Sequence, residues 1–186
     1  MFIQTEATPN PASMKFLPGR TVMEQGVVDF TDAAAAGDAS PLAARLFAVD
    51  GVTGVYLGRD FITVTKAEPE EWHDLKAAVL GAIMEHFMSG DPVVVAGAIE
   101  AESAGGDEEE DDVIRQIKEL IDTRVRPAVA QDGGDIVFHG FERGVVYLHM
   151  RGACSGCPSS VVTLKNGIEN LLRYYVPEVS EVRAIS

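Results

Sequence analysis

Cysteine is nearly missing from this chain: two residues in 186, Cys154 and Cys157, three positions apart. A pair so close staples little of a chain this long. It excludes a disulfide-built scaffold and leaves metal binding or redox chemistry as uses for the thiols. Long apolar runs are missing too. No window reaches the roughly 20 residues that a membrane-crossing helix needs, so no membrane contact is expected. The opening Met1-Phe2-Ile3-Gln4-Thr5-Glu6 has neither the basic start of a signal peptide nor the arginines of a transit peptide. The expected compartment is therefore the cytosol, with a processed organellar protein as the alternative.

Positive charge is scarce and unevenly placed. Met1 to Gly106 carries six basic against fifteen acidic residues, a net −9, Asp107 to Asp112 adds −6, and Val113 to Ser186 has nine basic against eight acidic, a net +1. Nothing resembles a basic stripe for phosphates, so nucleic acid is not an expected partner.

The length suits two modest domains, and the pattern predicts two small α+β domains, 1–96 and 113–186, joined by an acidic flexible linker over 97–112. In the first, short strands are expected at Phe2 to Thr5 and Ser13 to Leu17 around Thr8-Pro9-Asn10-Pro11, with a third at Gly26 to Phe30. The Ala33 to Gly37 tract reads as a flexible connection. Ser40-Pro41 reads as a cap and first-turn proline of a helix burying Leu42, Leu46 and Phe47. A hairpin over Val52 to Thr65 precedes an amphipathic helix with Trp72, Leu75, Val79, Ile83 and Phe87 on one face, ending near Ser89-Gly90. Pro92 to Val95 reads as a last strand.

The second domain predicts the order α-β-β-α-β. Val113 or Ile114, Ile117, Leu120 or Ile121 and Val125 share one helix face, and Pro127 should kink or end that helix. Asp132-Gly133-Gly134-Asp135 turns into a hairpin of Ile136 to Phe141 and Val145 to Met150. A helix from Pro158 to about Tyr175 follows, with Val161, Leu164, Ile168, Leu171 and Tyr175 inward, and then a strand at Val179 to Ile185.

Both cysteines fall on the strand-to-helix turn Gly152-Ala153-Cys154-Ser155-Gly156-Cys157-Pro158. Gly152 and Gly156 remove side-chain bulk so that backbone N–H groups can approach whatever the sulfurs hold. Cys157 reads as the helix N-cap, a position that favours thiolate. Three uses compete. Structural zinc or a cubane iron–sulfur cluster takes four ligands, and the chain has two thiols. His139 and His149 could face each other across the hairpin, yet on a sheet face rather than toward the turn; they and His73 and His86 read as structural histidines. Two copies of the chain could instead pool four sulfurs across a symmetry axis. Disulfide exchange would use Cys154 as the more exposed, attacking thiol, although the motif follows a hairpin rather than sitting in a βαβ unit. Spacing leaves cluster, zinc and thiol–disulfide oxidoreductase open.

The segments Arg126-Pro127, Asp132-Gly133-Gly134-Asp135, Gly152 to Ser160, Thr163-Leu164-Lys165, Gly167-Ile168-Glu169 and Val176-Pro177-Glu178-Val179 closely resemble the NifU C-terminal domain. Thr8-Pro9-Asn10-Pro11, Lys15-Phe16 and Pro18-Gly19 resemble the N-terminal domain of Nfu-type members. The resemblance implies a scaffold or carrier, not an enzyme. It would hold a [4Fe–4S] cluster between two subunits through Cys154 and Cys157 of each, receive it from an upstream donor and pass it to apo-proteins.

Overall fold

The computed structural model describes residues 1–98, 111–155 and 158–185, of which 158–160 by backbone alone. The chain divides into two compact units, Met1–Ala101 and Glu102–Ser186. Each mixes helices with a sheet of its own, as α+β predicts. Most of the expected linker, residues 99–110, lies outside the described residues.

In the first unit β1 (Gln4–Ala7), β2 (Ser13–Leu17), β3 (Val28–Phe30), β4 (Val52–Leu57) and β5 (Ile62–Lys66) form one antiparallel sheet in the order β1-β2-β5-β4-β3. Side chains alternate across it. Phe16, Ile62, Val64, Val55 and Leu57 enter the core, whereas Lys15, Thr63 and Tyr56, paired in one row across the strands, take the other side. Helix α2 (Pro41–Phe47) opens as its sequence predicts, with Ser40 Oγ accepting from Ala43 N–H at 3.0 Å and Pro41 in the first turn. It buries Leu42 and Leu46. Helix α3 (Trp72–Ser89) buries Leu75, Val79 and Ile83 and stops at Gly90, where φ is 77°.

Two expectations fail here. Ala33–Gly37 is a short helix, α1, because the Asp32 carboxylate accepts from Ala35 N–H at 2.7 Å and caps a run of strong helix formers. Pro92 to Val95 is not a strand. Val93 and Val94 pack against the core from an irregular segment tied to α2, through Ser40 Oγ–H to Val93 O and Val95 N–H to Ala39 O.

The second unit starts with α4 (Asp112–Leu120), whose Ile117 and Leu120 are buried with Ile121 and Val125 on the expected face. Pro127 does not end this helix. The chain widens into a π-helical turn over Ile121–Val125, with Arg126 N–H bonded to Ile121 O, and re-enters α-helix as α5 (Arg126–Gln131). The wide turn accommodates the proline ring and its missing donor without breaking the rod. Strands β6 (Gly134–Glu142) and β7 (Val145–Gly152) form the expected hairpin around Arg143 and Gly144, both at positive φ. Helix α6 (Pro158–Tyr175) leads to β8 (Glu181–Ile185), which runs parallel to β7. Among the described side chains of α6 the buried positions are Ile168 and Leu172, continued by Val176 just beyond the helix, while Tyr175 is exposed. The 3.6-residue period places Leu172 and Val176, not Tyr175, over the sheet. Among the described residues no helix is long and apolar enough to cross a membrane.

Candidate functional site

The parallel pairing of β7 with β8 through α6 makes a βαβ unit, and the cysteine turn sits at its β7-to-α6 junction. This corrects the reading of the turn as a hairpin feature only. Cys157 and Gly156 lie outside the described residues. Cys154 is described.

Cys154 follows the end of β7. Ala153 N–H donates to Gly133 O at 3.1 Å and Ser155 N–H to Gly152 O at 3.0 Å, so two N–H groups of the turn are engaged within the protein. The sulfur is covered: Cys154 is a free thiol at 7% exposure within the apolar core of the unit. Burial pushes its pKa up to about 12, and the nearby carboxylates Asp132 and Asp135 push in the same direction. As placed here it is a protonated thiol. Cys154 as placed here is therefore not an exposed, attacking thiol, because desolvation and two acids disfavour its thiolate, and its exposure relative to Cys157 lies outside the described residues.

The Asp132-Gly133-Gly134-Asp135 turn explains the cover. Gly133, at φ 78°, follows the C-cap Asp132 of α5 and ends that helix in the left-handed conformation. Gly134 begins β6 opposite Gly152. A side chain on Gly134 would collide with Cys154 Sγ and lie 3.0 Å from Cys154 N. Asp135, 4% exposed, accepts from Arg126 Nε at 2.8 Å and Nη2 at 3.0 Å, a two-pronged pair. Asp135 and a weaker contact to Asp122 at 3.3 Å raise the Arg126 pKa above its ordinary value, so this guanidinium stays charged. Arg126 and Asp135 both stand in sequence motifs, but periodicity carries no signal of their contact across nine positions.

The histidines do not join the site. His149 pairs with Val137, while His139 is the extra residue where the β6–β7 register shifts between Phe138 and Gly140. They are not opposed, which corrects the possibility that they face each other across the ladder. His73 is exposed at the start of α3 and His86 is buried in the other unit. Among the described residues no three His, Cys, Asp or Glu side chains gather to hold a metal ion.

Comparison with known proteins gives the relationship. Residues 3–90 match the family model of the scaffold protein Nfu/NifU N terminal, and residues 117–183 that of the NifU-like domain. The chain is similar to the mitochondrial NFU1 iron-sulfur cluster scaffold homolog of Homo sapiens, 50% identical over 186 residues that cover all of this chain and 72% of that protein. To the same-named protein of Drosophila sechellia it is 52% identical, covering 65% of that protein, so it spans just under two thirds of the fly relative's length. A solution structure of a NifU-like protein from Saccharomyces cerevisiae aligns at 26% identity and a TM-score of 0.41, over 51% of this chain and 85% of that one. With both domain models in order and half of all residues shared along its whole length with the human relative, the chain belongs to the Nfu/NifU scaffold-protein family.

Proposed function

We propose that this chain is an iron–sulfur cluster carrier in which Cys154 and Cys157 of each of two copies supply the four thiolates of one [4Fe–4S] cluster, which is then handed to apo-proteins. The donor inventory carries this reading. The chain has two thiols, three positions apart, and among the described residues no three His, Cys, Asp or Glu side chains gather to hold a metal ion. One copy therefore offers half of what a cubane cluster takes, and twofold pairing of the same turn supplies the rest. The relatives' names, iron-sulfur cluster scaffold homologs, support the class of cargo.

The buried Cys154 adds a requirement. Before it can ligate, its sulfur must leave the space against Gly134 and give up its proton, which coordination to iron displaces outright. Ligands split between two chains make each half weak alone, so incoming acceptor thiolates can replace them one at a time. The chain acts here as a carrier and not as an enzyme, between an upstream donor and apo iron–sulfur acceptors. It needs a reducing compartment, either the cytosol or an organelle such as the mitochondrion named for the relatives. The first unit contributes no thiol, and its net charge of −8, six basic against fourteen acidic residues over Met1–Ala101, suits a surface that selects targets.

Anaerobic reconstitution with iron and sulfide, followed by metal analysis, tests this reading. The expected product is brown, holds about four iron and four sulfide per pair of chains, and loses its colour to an apo-acceptor. Cys154→Ser or Cys157→Ser should retain no cluster. A colourless dimer dissociated by chelators would indicate zinc instead. Turnover of a small disulfide by metal-free protein, with a mixed disulfide trapped at one cysteine, would indicate an oxidoreductase.

A further inference from the structure

Gly134 and Gly152 face each other at the open end of the β6–β7 hairpin, so that rung has no side chains. The chain beyond Gly152 folds back and fills the space with a sulfur. A Cβ on Gly134 would collide with Cys154 Sγ and lie 3.1 Å from Cys154 Cβ, inside ordinary packing distance. Gly134 is itself held from both sides. The left-handed Gly133 before it ends α5, and its carbonyl accepts from Ala153 N–H. Asp135 after it is gripped at both oxygens by Arg126, which stands at the end of the π-helical turn.

We infer that Gly134, kept in register by the Arg126–Asp135 pair, is a positioning residue that shelters the Cys154 sulfur while the protein is empty. The purpose of the shelter rests on the carrier reading; the packing does not. A carrier spends part of each cycle without cargo, and two thiols three residues apart are then open to oxidation. A low-molecular-weight disulfide would close them in two exchanges. The first forms a mixed disulfide and releases one small thiol; the second forms the Cys154–Cys157 bond and releases another, so the small disulfide takes up the two electrons. Cys154 must take part in one exchange whichever thiol reacts first. A covered sulfur at that position keeps the pair reduced.

The test uses the full chain without metal and carrying Cys157→Ser, so that Cys154 is the only thiol. Its alkylation by a small maleimide is compared in native and guanidinium-unfolded protein. Native Cys154 should react about 100-fold more slowly than in the unfolded chain, and Gly134→Ala should recover about 10-fold of that difference by expelling the sulfur. Gly144→Ala is the control. Its Cβ would press on Ser180 Oγ at 2.7 Å and Glu178 O at 3.1 Å, which weakens the same unit far along the hairpin from Cys154. Its alkylation should match the parent's. Where Gly134→Ala does not fold, Asp135→Asn loosens the grip on Gly134 and should accelerate alkylation several-fold. In chains that keep both cysteines, oxidised glutathione should close the disulfide faster in Gly134→Ala than in Gly144→Ala. Equal rates in native and unfolded parent, or no excess of Gly134→Ala over Gly144→Ala at matched stability, would overturn the role. No arm contains iron, so failed cluster reconstitution would remove the carrier reading and leave the shelter standing.

Discussion

Cys154 in the second unit and His86 in the first are both titratable side chains taken out of water, yet burial treats them differently. A thiol is neutral at pH 7 and packs as a small apolar group, so covering it costs little and simply keeps it protonated. Imidazole carries two strong hydrogen-bonding atoms. His86 is fully buried, its ring lies edge-on to Phe87, and neither ring nitrogen has a hydrogen-bond partner among the described residues. Burial lowers its pKa, the Arg45 charge lowers it further, and Asp91 opposes both. One enclosure holds a thiol at small cost; the other is a weak point in a domain that has no thiols.

The contrast breaks most severely at Arg126. Arg126→Met leaves the buried Asp135 carboxylate without its counter-ion and should destabilise the second unit by about 3 kcal/mol, the low end for a severed buried pair because the arginine itself reaches solvent. Amide hydrogen exchange in β6 and β7 would show this, with exchange in the first unit unchanged. Ser40→Ala gives a reference loss in the first unit away from both buried groups. It removes the α2 cap and the bond to Val93 O, and should cost about 1.5 kcal/mol. The chain's single tryptophan, Trp72, which packs against Phe16 and donates to Pro11 O at 3.0 Å, reports that unfolding by fluorescence.

The smallest change sharpens the comparison. His86→Leu keeps nearly the same volume and removes two unsatisfied atoms, so the first unit should gain about 1 kcal/mol at pH 7. The pH dependence has a definite sign. Above the ordinary histidine value of 6.5 neither folded nor unfolded chain holds the proton. As pH falls through 6.5 the unfolded chain takes up a proton that the folded chain, with its lowered pKa, refuses. Stability of the first unit should therefore fall from pH 7 toward the folded pKa and then level off. His86→Leu should remove that fall in Trp72-monitored unfolding at pH 7.5 and 5; an unchanged fall would assign it to another group.

Local signals in the sequence were enough for the Ser40-Pro41 helix start, the Gly90 stop, the β6–β7 hairpin and the run of α6 from Pro158. Each rests on a cap, a turn or a periodicity contained within a few residues. What escaped depends on neighbours elsewhere or on a competing local signal. At Ala33 to Gly37 the small residues signal a flexible connection, while Asp32, a competing signal, caps a helix. Proline alone signals a kink or an end of the helix at Pro127, and nothing local in the sequence marks the π-helical turn that absorbs it. The cysteine turn was legible as a motif, but its present state was not. Gly152 and Gly156 are the glycines the motif marks as opening the turn for cargo, whereas Gly134, a glycine of the other strand, makes room for the sulfur, and only the contact across the hairpin reveals it.

In the proposed carrier, one chain holds half of the sulfur its cargo needs. Native mass spectrometry of the anaerobically reconstituted protein tests it most directly. The expected result is a single iron-bearing species of two chains with one four-iron, four-sulfide cluster, which falls to single chains when a chelator strips the iron. A cluster of that composition carried on one chain, or a two-chain species that survives the loss of all iron while the Cys154→Ser chain still binds a full cluster, would contradict it.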